Sequence, residues 1–264
     1  MRETMKKLIE LVGDARRIVV FTGAGISTES GIPDFRGPGG VWEKVDPGDF
    51  HIDRFLASED SRRRYWLRST EMYHQILMAK PNAAHRAVAA LEPMGKLGAV
   101  ITQNVDGLHQ AAGTPPDKVI ELHGSTLSVH CLSCGDHCER AAFQPLVSEG
   151  GDAPPCGKCG GLMKPATISF GQMLTPESLR RAAEETDRCD LFLVIGSSLV
   201  VYPAAEFPIR AIRGGASLAI INRQTTPHDP HAAVVLKETA GEVMAEVMAA
   251  LGARPAPVAA ALPA

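Results

Sequence analysis

Short runs of uninterrupted apolar residues, each stopped by a glycine or a polar residue, recur along the chain. Residues 18–21 (IVVF), 99–102 (AVIT), 118–122 (KVIEL), 191–195 (LFLVI) and 218–221 (LAII) have the length and side chains of strands buried on both faces. Between them the apolar positions fall at helical spacing. Thr4 opens a helix with Leu8, Ile9, Leu11 and Val12 on one face, Asn82 caps 83–91, Thr175 caps 176–188 with Pro176 in its first turn, and 203–213 forms another helix. This alternation predicts an α/β fold built on a doubly wound parallel sheet.

Two stretches break the alternation. Residues 41–80 are polar and helical in character, with Tyr65, Trp66 and Tyr73, and residues 128–165 contain two cysteine pairs. They predict a smaller helical and zinc-binding lobe inserted into a sheet domain assembled from 1–40, 81–127 and 166–252. Residues 253–264, mostly Ala and Pro, read as a disordered tail.

A chain of 264 residues with 45% hydrophobic content can fill one large core and carry such an insert. A net charge of -3 and a pI near 6.3 leave no basic field to hold nucleic acid or an anionic membrane. The N-terminal segment has no apolar run of secretory length, and no stretch of about 18 apolar residues occurs. The expectation is a cytoplasmic monomer that binds neither nucleic acid nor membrane.

In that reducing compartment cysteines serve metals more often than disulfides. Cys131 and Cys134, then Cys156 and Cys159, form two Cys-x-x-Cys pairs separated by 21 residues, with Gly135, Gly157, Gly160 and Gly161 at the turns. This spacing fits one tetrahedral zinc ion, and four thiolates leave no open position, so the ion is structural. Cys138, His130 and His137 are second choices as ligands, and Cys189 reads as packing.

Gly23, Ala24 and Gly25 follow directly on a buried strand, the geometry that brings backbone N–H groups to a pyrophosphate. The third glycine and helix of a dehydrogenase do not follow, and no acidic ribose ligand stands about 20 residues on at the end of a second strand. A polar loop ending in Asp34, Phe35 and Arg36 follows instead. Gln103, Asn104 and Asp106 end one strand, Gly196, Ser197 and Ser198 another, Asn222 and Arg223 a third. These strand ends are where a doubly wound sheet gathers ligand groups, although Ser197 and Ser198 can equally be helix caps. His123 follows a strand at the junction of the lobes and is the best placed base among nine histidines.

Residues 23–36 (GAGISTESGIPDFR), 102–106 (TQNVD), His123-Gly124, the cysteine quartet, residues 196–198 (GSS) and Asn222-Arg223 together resemble the sirtuins in order and spacing, over roughly residues 5–250. The resemblance implies a Rossmann-type domain with a zinc-bearing small domain, and NAD and an acyl-lysine in the cleft between them. It implies that Gly23, Ala24, Gly25, Thr28, Asp34, Phe35 and Arg36 lie along NAD, with Gln103, Gly196, Ser197, Ser198, Asn222 and Arg223. Asn104 and Asp106 match the residues that hold the ribose and the nicotinamide carboxamide. His123, aided by Asn104, matches the catalytic site.

The implied reaction is attack of the acyl oxygen on the anomeric carbon as nicotinamide leaves. A ribose hydroxyl deprotonated by His123 then attacks the resulting amidate, and water releases lysine and O-acyl-ADP-ribose. Phe170, Gly171, Val200 and Val201 resemble the two segments that clamp an extended substrate peptide by backbone pairing. Ala166 and Gln172 depart from the pattern, standing where a polar or acidic residue and a glutamate are expected.

Tyr65 and Arg68 share a helix face at i, i+3 and resemble the Tyr-x-x-Arg of sirtuins that remove succinyl and malonyl groups. Acetyl is the first expectation, with acidic or longer acyl chains as a variant. Mono-ADP-ribosyl transfer and a non-catalytic NAD or ADP-ribose sensor are the competing classes.

Overall fold

The computed structural model describes residues 2–253; residues 254–264 of the predicted tail lie outside the described residues. In chain order the strands are β1 (Ile18–Thr22), β2 (Leu97–Thr102), β3 (Val119–Glu121), β4 (Gly124–Cys131), β5 (His137–Glu139), β6 (Met163–Thr167), β7 (Leu191–Ile195), β8 (Ser217–Ile221) and β9 (Val234–Leu236). The α-helices are α1 (Glu3–Asp14), α2 (Ile52–Ala57), α3 (Glu59–Met78), α4 (Ala83–Ala90), α5 (Leu108–Ala111), α6 (Arg140–Phe143), α7 (Pro176–Arg188), α8 (Phe207–Arg213) and α9 (Ala240–Ala250).

Six strands form one parallel sheet in the order β3-β2-β1-β7-β8-β9. Every residue of β1, β2 and β7 is buried, as expected for strands covered on both faces. Alternate side chains feed two cores. Ile18, Val20, Leu193 and Ile195 pack with α1, α4 and α9, whereas Val19, Phe21, Phe192 and Val194 pack with α7 and α8. Each such side chain contributes about 2 kcal/mol by leaving water. The order reverses between β1 and β7, so the crevice at their carboxyl ends is the sheet's switch point.

The predicted strands are all present, and β9 with helix α9 extends the sheet domain beyond the predicted elements. Two helix expectations need correction. Arg2, not Thr4, stands at the N-cap of α1, without a side-chain cap bond. The helix expected over 203–213 begins as a 3-10 turn, Ala204–Glu206, and becomes α-helical only from Phe207, with Pro208 in its first turn. The first turn of α9 is capped from a distance: Gly241 N–H donates to the Glu29 carboxylate at 2.8 Å.

The smaller sheet, β5-β4-β6, is antiparallel. Phe55 and Trp66, from α2 and α3, share a core with Val129, Phe143 and Met163. The guanidinium of the fully buried Arg140 lies 4.8 Å from the Trp66 ring and 5.0 Å from that of Tyr73, and it donates to Gln144 Oε1 at 2.7 Å and Ser69 Oγ at 3.1 Å. Helix α3 starts at Ser58, whose hydroxyl accepts Ser61 N–H at 3.1 Å.

Below the switch point two buried imidazoles meet edge to face, His85 of α4 and His109 of α5, with ring centroids 5.0 Å apart. His109 Nε2 lies 3.0 Å from Thr22 Oγ1, which bonds Thr102 Oγ1 at 2.8 Å. Burial pushes His109 down to about 4 and His85 well below the ordinary histidine range. Above pH 6.5 folded and unfolded chains both keep these rings neutral. As pH falls from 6.5 towards 4 the unfolded chain takes up protons that the folded one refuses, so stability is lost across that window. We predict that His85→Leu flattens the fall in unfolding free energy between about pH 6.5 and 5, by an amount that grows to at most about 1.4 kcal/mol per pH unit, read from urea titrations of both proteins.

Candidate active site

The loops after β1 and β7 meet at the switch point. Gly23 N–H donates to Ile195 O at 3.2 Å and Gly25 N–H to Gly196 O at 2.9 Å. A Cβ on Gly25 would stand 2.7 Å from Gly196 Cα, and one on Gly23 would stand 2.8 Å from Gly196 O. Gly196 itself has φ of 66°, which disfavours any side chain. Backbone therefore meets backbone, and a cleft of about 500 Å³ opens above it.

The chain leaves Gly23 in a 3-10 helix, Ala24–Ser30, that turns Ala24, Gly25 and Ser27 to the cleft. Asp34, Phe35 and Arg36 line it further on. Their turn is tight because Gly37 N–H donates to Asp34 Oδ1 at 2.6 Å, while Trp42 N–H returns to Phe35 O at 3.1 Å. The Phe35 and Trp42 rings meet at a tilt of 38° with centroids 4.9 Å apart, and Trp42 continues to Phe50 at 5.4 Å and Phe170 at 6.1 Å.

After β2, Gln103, Asn104 and Asp106 all face the cleft. Ser27 knots two of them together: its hydroxyl donates to Asp106 Oδ2 at 2.7 Å and accepts from Asn104 Nδ2 at 3.1 Å. Asp106 also accepts Leu108 N–H at 2.9 Å. Burial raises its carboxyl above the usual range, against the pull of these donors. Gln103 Nε2 donates to Ser197 Oγ at 2.8 Å, joining the β2 loop to the β7 loop.

His123 Nδ1 lies 2.9 Å from Gln103 O. A carbonyl can only accept, so Nδ1 carries the proton and Nε2 keeps its lone pair. Burial holds the imidazole below the ordinary histidine range, opposed by this bond. The neighbouring Gly124 has φ of 72°, and a Cβ there would come within 2.0 Å of Ala166 O. Only glycine lets the chain turn from His123 into the small sheet.

Along one wall Phe170 is held by its backbone, its N–H donating to Phe50 O at 3.0 Å and its carbonyl accepting Ile52 N–H at 2.9 Å. Gly171 follows in a turn with φ of 82°, where a Cβ would stand 2.5 Å from the His51 ring. Gln172 closes the turn, its Oε1 accepting Ser169 N–H at 2.8 Å, a bond that a glutamate oxygen can equally accept. Tyr65 and Arg68 reach the same cleft, but both are already engaged: the Tyr65 hydroxyl with Thr167 Oγ1 at 3.1 Å, and Arg68 with Asp49.

Three residues expected at the site do not line the cleft. The Thr28 hydroxyl turns back onto Gly25 O at 3.0 Å, Arg223 projects into solvent beside the lining residues Asn222 and Gln224, and Val200 is exposed while Val201 and Tyr202 line the wall. The sequence reading missed Ser27, although it lies inside the glycine motif, because a serine after a turn looks like a cap. Trp42 and Asp49 were missed because their partners are distant in the chain.

The four cysteine sulfurs lie within 4.8 Å of one another. Cys131 and Cys159 Sγ are 3.5 Å apart, and Cys134 and Cys156 Sγ 3.7 Å. Thiolates at about 2.3 Å from a tetrahedral zinc stand about 3.8 Å apart, so the quartet fits the ion. The two turns match: Gly135 N–H bonds Cys131 O at 3.0 Å, Gly160 N–H bonds Cys156 O at 2.8 Å, and both glycines have positive φ. Cys138, on β5, lies outside the quartet.

The Sir2 family model matches residues 23–203. The chain belongs to the Sir2 family. It is 46% identical over 244 residues to the NAD-dependent protein deacetylase 1 of Bradyrhizobium diazoefficiens, covering 92% of this chain and 95% of that one. The NAD-dependent protein deacylase 2 of Archaeoglobus fulgidus is 43% identical, over 94% of this chain and 96% of its own. A solved Sir2 structure with a p53 peptide and NAD+ superimposes with a TM-score of 0.85 at 39% identity, covering 96% of this chain and 99% of that one. A Sir2 protein bound to an acetylated peptide gives 0.84 at 38% identity, with 96% and 99% covered.

None of the four cysteines is among the residues lining the cleft, and four thiolates leave no open position, so the ion that they fit is structural. The purified protein is expected to carry one zinc per chain by mass spectrometry of metals. Cys156→Ala should lose that zinc and melt the small sheet, seen as early amide exchange confined to β4–β6.

Proposed function

We propose that this protein removes acyl groups, acetyl foremost, from protein lysine side chains at the expense of NAD. The observation that carries the proposal is His123, whose Nε2 is left basic by the Gln103 carbonyl in a cleft shared with the glycine loops and the Ser27, Asn104 and Asp106 knot. Names of the relatives and ligands of the solved Sir2 proteins support the same reading.

In this reading the backbone N–H groups of Ala24 and Ser197 take the pyrophosphate, while Gly23, Gly25 and Gly196, whose own N–H groups bond Ile195 O, Gly196 O and Ile221 O, keep side chains out of the way. Asn222 takes the adenosine side, with Ser198 beside it. Ser27, Asn104 and Asp106 hold the nicotinamide and its ribose. NAD supplies the electrophilic ribose carbon, to which the acyl oxygen adds as nicotinamide departs. Phe35, Trp42 and Phe170 wall off water, which would otherwise hydrolyse NAD without using the acyl-lysine.

His123 Nε2 accepts the proton of a ribose hydroxyl, and the Gln103 carbonyl steadies the imidazolium that forms. The substrate backbone lies as an added strand between Gly171 and Val200–Val201, which tolerates many sequences around the acyl-lysine. Among the described residues no helix is long and apolar enough to cross a membrane.

Incubation of an acetyl-lysine peptide with NAD should yield free lysine, nicotinamide and O-acetyl-ADP-ribose by mass. His123→Ala should lower kcat/KM by about 10²–10⁴-fold while NAD still binds. Because the imidazole titrates below its ordinary value, kcat/KM should be flat through neutrality and fall only below about pH 6.5. ADP-ribose attached to the peptide would instead identify a transferase, and unchanged NAD a sensor.

A further inference from the structure

Arg68 reaches the cleft wall from α3, and its Nη1 donates to Asp49 Oδ2. Asp49 lines the same wall, with Arg54 Nη1 3.8 Å from its other oxygen. Two sets of bonds hold the carboxylate in place. It sits in the 3-10 turn Pro47–Phe50, where Asp46 Oδ1 accepts Gly48 N–H at 2.9 Å and Asp46 O accepts Asp49 N–H at 3.0 Å. The next residue, Phe50, accepts Phe170 N–H at 3.0 Å, so Asp49 is tied to the segment beside the proposed peptide strand.

Recognition of an acyl chain ending in a carboxylate requires a guanidinium with its fork free. Here one arm of that fork, Nη1, is already given to a carboxylate of the protein, and Glu71, at i+3 from Arg68, brings a second negative charge to the wall. An acidic acyl chain must displace Asp49 and then lie beside it. An acetyl or other uncharged chain makes no demand on Arg68. Such an arrangement discriminates by penalising the wrong ligand.

We infer that Asp49 is a specificity-determining residue which, by occupying Arg68, sets the acyl pocket for uncharged groups and against succinyl and malonyl chains. The inference rests on the deacylase reading. Without Asp49 this end of the cleft turns positive, since Lys164, fully buried behind Tyr65 with Nζ 5.2 Å from its ring centroid, adds its charge to that of Arg68.

The test compares acetyl, butyryl, succinyl and malonyl forms of one lysine peptide, by kcat/KM with NAD and by calorimetric Kd. The proteins are wild type, Asp49→Asn, Asp49→Ser, and Asp49→Asn combined with Arg68→Ala. The expected result is a rise of about tenfold or more in the succinyl-to-acetyl ratio for either single Asp49 variant, and its return to the wild-type ratio in the double variant. An unchanged or lower ratio overturns the inference, the lower one because Asp49 would then be aligning Arg68 for the acid. If wild type turns over none of the peptides the deacylase reading fails, while the Kd ratios still report on Asp49.

Discussion

The close approach of two glycine loops is the constraint on which the rest of the site depends. With no Cβ at Gly23, Gly25 or Gly196, the backbones after β1 and β7 can bond to each other across the switch point of the sheet. That contact fixes where the 3-10 helix Ala24–Ser30 begins, and hence where Ser27 lies to tie Asn104 and Asp106. Gln103 carries the same order sideways, with its side chain on Ser197 and its carbonyl on His123. One backbone contact thus places phosphate donors, polar anchors and base around one cleft.

Chemistry then follows from how burial shifts the titrating groups. Burial disfavours charge on both Asp106 and His123. A raised carboxyl is better able to meet an amide, and a lowered imidazole is a free base at neutral pH. The small lobe closes the cleft from the other side through Gly124, and its own core is too small to stand without help. Zinc supplies that help at the cysteine quartet, remote from the reacting atoms.

Much of this was legible in the chain because the signals are local. The glycine turn after a buried strand, the two Cys-x-x-Cys spacings and the polar residues at strand ends each fit within a few residues. What stayed hidden depends on distance. The strand β9 is three residues long and pairs only at the sheet edge, and α9 takes its first-turn acceptor from Glu29. The alternating residues of β4 run into the cysteine pair, so metal spacing masked a strand. Thr28 and Ser27 are neighbours of similar chemistry, yet the 3-10 turn sends one to the loop backbone and the other to the knot. Arg68 was read as an open cation, since nothing in its own helix announces Asp49.

The most direct test of this account is calorimetric titration of Gly25→Ala with NAD. The methyl would have to stand 2.7 Å from Gly196 Cα, so the loops must part. The account predicts a loss of about tenfold or more in NAD affinity, with zinc content and far-ultraviolet dichroism unchanged. Wild-type NAD affinity in that variant would contradict it, because the contact would then not be what shapes the site.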